Sequence, residues 1–438
     1  VSRQAFDEFL LKVTSRVKAR GAHPMIKKEL HSHLEELRDS YGKRGHPENE
    51  AEELAVEQMG NPYTVGDRLN RIHKPRMDWI LIALFAMIAG AGLLTAFGAA
   101  SHVSLPAYYF LERQVIWYTI ALVFLVSVLF FDYRRLAKRH FLFYAAGLFL
   151  LVLTALFGVS VNGMQRWLAI GGLTIDGGMF ALLFLFLAWA GIFSSIQTFR
   201  TWKWQLGLSA MLWVPVFIFI SLPHVVLAII YLLSVTGMFL FAGGYRSTFR
   251  KMAAGNLVFA VMGLAIIFIT APPYMLDRLS GFLDPAAYAS DYGYIYVLVR
   301  DALSQAGWFG NGLLSTGHNI PEAHTDLAFA YLVYALGWVF GIFLCLLLLA
   351  FIWRISRNAS KTPDHFGRLL VIGGATMFSV PAVWNIMMAF GLMPIAGVSL
   401  PFVSYGGSML MFYAVILGLI LNVYRRKDIV EPTMVSQK

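Results

Sequence analysis

The residue types best able to do chemistry crowd into one polar stretch. Between about residues 274 and 325, and just past it, stand Asp277, Arg278, Asp284, Asp291, Arg300, Asp301, Glu322, His324 and Asp326, with aromatic residues between them. Arginine grips phosphate oxygens through a two-pronged fork, and a carboxylate can take the proton from an attacking hydroxyl. Such a mixture beside a membrane suits a polar substrate carrying phosphate and a lipid tail. A connection of this length without structure of its own is uncommon unless it is functional. An ordinary outer loop with surface charges would use the same residue types, so composition leaves both readings open.

The elements that must position these groups follow from charge bookkeeping. Of 438 residues 14% are charged, 58% apolar and 15% aromatic, whereas soluble domains carry roughly a quarter charged residues. Residues 1-76 hold 14 basic and 12 acidic side chains, leaving 21 and 13 for everything after. The chain reads as a polar head on a membrane body, which excludes a large soluble core, a disulfide-stapled domain and a disordered coil. The single cysteine, Cys345, lies in an apolar run and cannot pair within the chain. The net charge of +10 does not point to nucleic acid, because Lys and Arg punctuate the gaps between apolar runs instead of clustering.

A bilayer core needs about 20 apolar residues per helix. Ten such runs are expected, near 79-100, 114-131, 141-161, 178-197, 205-221, 224-244, 256-273, 326-353, 369-391 and 405-424. Sixteen basic residues fall in alternate gaps, among them Arg134, Arg135, Arg200, Arg246, Arg250, Lys251 and Arg354, against four (Arg113, Arg166, Arg278, Arg300) in the opposite set. Basic loops stay cytoplasmic, so both termini are expected inside, and no cleavable signal peptide is expected. The fold class is therefore all-α and polytopic, with residues 1-76 as a cytoplasmic helical prefix, 77-427 as the membrane domain and 428-438 as a tail.

In the prefix, Phe6, Leu10, Val13 and Val17 recur at helical spacing, as do Ile26, Leu30, Leu34, Leu37 and Tyr41. Gly42, Gly45 and Pro47 should end the second helix, Glu48 to Met59 should form a third, and Asn61-Pro62 should open a fourth. Glu29, His31 and His33 hint at a metal, but residues two apart on a helix face different sides, and no metal site is assigned.

Three strings carry a resemblance. Gly397-Val398-Ser399-Leu400-Pro401-Phe402-Val403-Ser404-Tyr405-Gly406-Gly407-Ser408 precedes the last span, Pro321-Glu322-Ala323-His324-Thr325-Asp326 closes the long loop, and Asn162-Gly163-Met164-Gln165-Arg166-Trp167 follows the third span. Together with the topology they resemble the SEDS family, the FtsW/RodA/SpoVE-like proteins of bacterial shape, elongation, division and sporulation, over about residues 78-427. The resemblance implies a membrane glycosyltransferase that polymerises lipid II, working with a class B penicillin-binding protein. It implies Arg166 as a pyrophosphate contact, with Trp167, Arg300, Glu322, His324 and Asp326 as further substrate-binding candidates; the alternatives are a boundary anchor at Arg166 beside Trp167 and a hydrogen-bonded structural cluster of Glu322, His324 and Asp326 where the loop re-enters the membrane. Pro401, Ser404, Tyr405, Gly406, Gly407 and Ser408 would form a structural motif of close packing before the last span. A divalent cation could accompany the pyrophosphate, although no ligand spacing marks one.

The sequence also departs from the family pattern. The family's catalytic aspartate aligns with Tyr288, and a phenol cannot simply replace a carboxylate base; Asp284 and Asp291 flank it as candidates for a relocated base. A Ser-Glu pair and a lysine entering the fourth span become Gly178, Met179 and Leu182, and an Asp-x-Gly-Thr pattern becomes His224-Val225-Val226-Leu227. Gln and Gln-Ser positions become Ile295 and Leu298-Val299. Polar groups within a membrane are costly and kept for a task, so these exchanges imply a relaxed or altered one. Three classes follow: an active polymerase, a noncatalytic relative that binds precursor or partner to regulate envelope assembly, and, ranked last, a lipid transporter.

Overall fold

The computed structural model describes residues 4–99, 108–161, 164–171, 173–195, 201–242, 256–257, 259–261, 263, 273–315 and 317–427. The expected span near 256-273 lies largely outside the described residues, as do Asn162, Gly163, Arg200, Arg246, Arg250, Lys251 and the tail 428-438. The chain separates into two compact units. One comprises Val1–Asp78, Lys361–His365 and Val423–Lys438, the other Trp79–Ser360 and Phe366–Asn422.

The first unit holds four helices, α1 (Gln4–Arg16), α2 (His23–Lys43), α3 (Glu48–Met59) and α4 (Pro62–Ile72). Phe6, Phe9, Leu10, Val13, Ile26, Leu30, Leu34 and Ala55 form its core. Asn61 caps α4 by accepting the Tyr63 N–H at 2.9 Å, and Pro62 occupies the first turn where its missing N–H costs nothing. Arg16 reaches Asp67 through two bonds of 3.1 Å, clasping α1 to α4. His31 and His33 turn to different carboxylates, Glu35 at 3.6 Å and Glu36 at 3.7 Å.

The second unit contains α5 (Trp79–Ala99), α6 (Tyr109–Phe130), the short α7 (Arg134–Ala137), α8 (His140–Phe157), α9 (Gly177–Ser194), α10 (Trp202–Ser221) and α11 (Val225–Phe241). After them come α12 (Pro273–Leu283), α13 (Tyr294–Ser304), α14 (Ala328–Ser360), α15 (His365–Ala389) and α16 (Gly407–Arg426). Eight helices among the described residues are long and apolar enough to cross a membrane, and α11 is a shorter apolar helix. The protein is a multi-pass, helical membrane protein. Pro215 and Pro381 sit inside α10 and α15. α9 is buried almost from end to end, whereas α6 and α8 leave most of their apolar surface outward, as helices wetted by lipid do.

Two features depart from the expected pattern. Between α8 and α9 the chain forms a small antiparallel sheet, β1 (Val159–Val161), β2 (Met164–Ile170) and β3 (Leu173–Asp176), in the order β1-β2-β3. The alternation there is too short to stand out beside the long apolar runs. The run expected to span from residue 326 is broken: α14 carries non-helical backbone at Gly337, with φ 86° and ψ 173°. Loop residues plug the break, as Trp338 N–H donates to Gly307 O at 3.0 Å and Gly312 N–H to Ala335 O at 2.8 Å. A β-carbon on Gly337 would strike the Trp308 carbonyl, so this left-handed position demands glycine. The chain from Ala328 to Tyr334 is thus a buried short helix, and Asp326 lies in the turn ahead of it, outside the spans.

Candidate functional site

Strand register builds the first half of the site. β2 and β3 pair so that Trp167 stands opposite Asp176, the residue that ends β3 and caps α9. Arg166 Nε donates to Asp176 Oδ2 in a buried ion pair, the two side chains being only 13% and 4% exposed. The other carboxylate oxygen accepts the Met179 N–H at 2.9 Å, where the helix N-terminus favours negative charge. Arg166 Nη1 donates to Gly397 O at 3.3 Å, and the guanidinium lies 5.4 Å from the centre of the Trp167 ring. The Asp176 N–H donates to Ser408 Oγ at 3.2 Å, joining the sheet to α16. Burial pulls the Arg166 guanidinium down, but Asp176 outweighs it and, with Asp326, holds the group above its ordinary value.

The string 397–408 forms the second half by gripping the segment that enters α14. Ser404 Oγ donates to Thr325 O at 2.5 Å and accepts the Leu400 N–H at 2.8 Å. Tyr405 N–H donates to His324 O at 2.6 Å. Asn385, on α15, donates to Asp326 O and Val398 O, both at 2.7 Å. Pro401 opens the turn, and Tyr118 of α6 donates to Phe402 O at 2.5 Å. Gly407 lets the Trp117 ring lie directly against its backbone, while Gly406 precedes the helix.

Within that grip Glu322 adopts φ 49° and its Oε2 accepts the Thr325 hydroxyl at 2.6 Å. The His324 ring stacks on Phe110, centroids 4.3 Å apart. Burial pushes His324 down, against the pull of Glu322. Asp326 differs from both. Among the described residues nothing donates a hydrogen bond to its carboxylate and no cation pairs with it. Burial raises it to about 6, Arg166 draws it down and Glu322 pushes it up.

The other candidates lie apart. Asp284, Tyr288 and Asp291 are exposed on the turn between α12 and α13. Asp284 Oδ1 accepts the Ala287 N–H at 3.1 Å, and the Tyr288 carbonyl accepts the N–H groups of Asp291 and Gly293. Arg300 is exposed on α13, beside Asp301, which bonds His318 at 2.9 Å and is held below the usual carboxylate range by it. No hydrogen bond or ion pair joins Asp284, Asp291 or Arg300 to Arg166 or Asp326. α13 is tied to the site's rim through Tyr296, whose hydroxyl accepts the Ile395 N–H at 2.8 Å. Among the described residues no group of three or more His, Cys, Asp or Glu converges as a metal ion would require.

Two groups of the positions set apart in the sequence prove to be neighbours. A β-carbon on Gly178 would lie 2.9 Å from Leu227 and 3.0 Å from His224 Nδ1, and Met179 and Leu182 are buried on the same helix. His224 is 4% exposed and neither ring nitrogen has a partner among the described residues. Gly178 therefore packs against Leu227 and His224 where α9 meets the start of α11. Asp176 and Asn385 were not singled out from sequence. An aspartate ahead of Gly177-Gly178 is a legible helix cap, but its pairing with Arg166 depends on the hairpin.

Residues 76–429 match the family described as cell cycle protein, FtsW/RodA/SpoVE. The chain is 29% identical over 367 residues to a probable peptidoglycan glycosyltransferase FtsW of Saccharophagus degradans, covering 80% of this chain and 92% of that one. It is 31% identical over 360 residues to a protein of the same description from Halomonas elongata, covering 79% and 89%. Among solved structures, a chain described under structural coordination of polymerization and crosslinking by a peptidoglycan synthase complex superposes with a TM-score of 0.68 at 27% identity, over 80% of this chain and 98% of that one. With a match that runs through the whole membrane body and the Arg166, Asp326 and 397–408 elements assembled at one place, the chain belongs to the FtsW/RodA/SpoVE family of cell cycle proteins.

Proposed function

We propose that the chain is a peptidoglycan glycosyltransferase of the bacterial cytoplasmic membrane that polymerises lipid II into glycan strands, with both termini cytoplasmic and the reacting groups on the outer side. The observation that carries this reading is the state of Arg166: buried, fixed by Asp176 and Gly397, yet with no hydrogen bond from Nη2 among the described residues. In the reaction the 4-hydroxyl oxygen of one sugar bonds to the anomeric carbon of the other. The bond from that carbon to the pyrophosphate oxygen breaks, and the hydroxyl proton goes to a base. Donors already in position for the departing charge lower the barrier because nothing need reorganise, and Asp176 keeps the guanidinium so held. Trp167, Glu322 and His324 would bound the sugars, with Arg300 reaching the substrate from the loop. The likeness to a chain of a peptidoglycan synthase complex supports a class B penicillin-binding protein as partner.

A noncatalytic regulator is the second reading. It is favoured by Tyr288 at the expected base position and by the apolar contact of Gly178 with Leu227. The test is glycan synthesis by the purified chain from lipid II, with and without the partner. Chain-length products that fall at least about 100-fold in Arg166→Met support the enzyme. No product where an active relative works, with lipid II still bound, favours the regulator.

A further inference from the structure

We infer that Asp326 is the catalytic base of this protein, taking the proton from the attacking sugar hydroxyl while Arg166 receives the leaving pyrophosphate. The inference rests on the polymerase reading above. It comes from asking what each described carboxylate of the second unit is already doing. Asp132 pairs with Arg134, Asp176 pairs with Arg166 and caps α9, Asp301 bonds His318, Asp284 caps its own turn, and Glu322 holds Thr325. Glu112, Asp277 and Asp291 are exposed. Among them Asp326 alone is partly buried with no hydrogen bond or ion pair to its carboxylate.

Two further observations fit the role. The Asp326 oxygens, like Arg166 Nη2, are not among the fully buried polar atoms without a partner, and Asp326 is only partly covered. Arg166 donates to Gly397 O, and Asn385 donates to both Val398 O and Asp326 O, so the two residues are held against the same 397–398 turn, yet no ion pair closes between them. A nucleophile's base and a leaving group's cation must stand apart in this way, with the reacting carbon between. The Asp326 backbone is pinned by Asn385 at 2.7 Å, which fixes where the carboxylate starts from. A carboxyl raised to about 6 by burial is still ionised at neutral pH and binds a proton better than an ordinary aspartate, as a general base should. In the step itself the hydroxyl proton passes to Asp326, the oxygen–carbon bond forms, and the electron pair of the broken bond leaves on the lipid pyrophosphate. Asp326 then returns its proton to water.

The experiment uses the full chain with its partner and lipid II, comparing wild type with Asp326→Asn, Asp326→Glu, Asp284→Asn and Asp291→Asn. It reads rate, lipid II binding, melting midpoint and the pH–rate profile. The expected result is a loss of at least about 100-fold in Asp326→Asn with lipid II binding within about threefold of wild type. Product should partly return in Asp326→Glu with a displaced acid limb, and Asp284→Asn and Asp291→Asn should stay near wild type. Asp326→Asn within about fivefold of wild type, or a wild-type acid limb unchanged in Asp326→Glu, overturns the inference while leaving the polymerase standing. Loss of lipid II binding in step with rate also overturns it, as does loss centred on Asp284 or Asp291. A wild type that makes no product at all removes the polymerase reading itself.

Discussion

Replacing Asp176 by alanine should be among the most damaging single changes in the membrane body. The carboxylate and the Arg166 guanidinium are 4% and 13% exposed, so water screens little of what is lost. Breaking a buried pair by deleting one partner costs about 3–5 kcal/mol, because the remaining charge is stranded. The same carboxylate caps α9 through the Met179 N–H, and losing such a cap adds about 1 kcal/mol. Asp176→Ala is therefore expected to cost about 4–6 kcal/mol, and Asp176→Asn about 1 kcal/mol less because asparagine still caps. The double change Arg166→Met with Asp176→Leu should cost far less than the two single changes added together. The assay is unfolding of the purified chain in detergent, run as a double-mutant cycle. A cost below about 1 kcal/mol for Asp176→Ala, or strict additivity in the cycle, would refute a stabilising role for the pair.

Three other outcomes follow from the geometry. Gly337→Ala forces a β-carbon onto the Trp308 carbonyl at φ 86° and should lower stability by about 1–3 kcal/mol, read as a fall in melting midpoint; an unchanged midpoint would mean the break in α14 is not held this way. Gly407→Ala drives into the Trp117 ring and should cost about 1–3 kcal/mol, recovered in part by Trp117→Leu; the absence of any recovery would locate the strain elsewhere. Asp326 gives a pH signature. Its carboxyl is raised from 3.8 to about 6 on folding, so its contribution to stability is present below about 3.8 and lost as pH rises through about 6. At pH 7.5 Asp326→Asn should be more stable than wild type by about 2–3 kcal/mol, with the two melting curves converging near pH 4. Equal midpoints at both pH values would show that the carboxyl is not held out of water.

That sign carries a functional meaning. An ionised carboxylate kept without a donor at neutral pH weakens the fold, and such costs are retained where a group has work to do. The contact of Gly178 with Leu227 and His224 has the opposite character, since it is built on close packing. The site thus combines one half that carries charges, Arg166, Asp176 and Asp326, with a neighbouring helix contact held by close packing.

The sequence by itself determined the class of molecule. Long apolar runs have few physical solutions, because every backbone polar group in lipid must be satisfied within a helix, and the spans, the helical prefix and the three marker strings could all be read from residue order. The caps were legible too: Asn61-Pro62 begins α4 as its chemistry dictates. What only the tertiary structure decided is partnership. Arg166 read as either a pyrophosphate contact or a boundary anchor until a three-stranded sheet set Asp176 beside it, and the apolar run from residue 326 looked like one span until loop carbonyls and amides filled the break at Gly337. Asp326 was one acid among many in the sequence. Its distinction is that the other described carboxylates of the membrane body are bonded or open to water, and occupancy is a property of three-dimensional neighbours, fixed by packing between segments distant in the chain and therefore invisible to local periodicity.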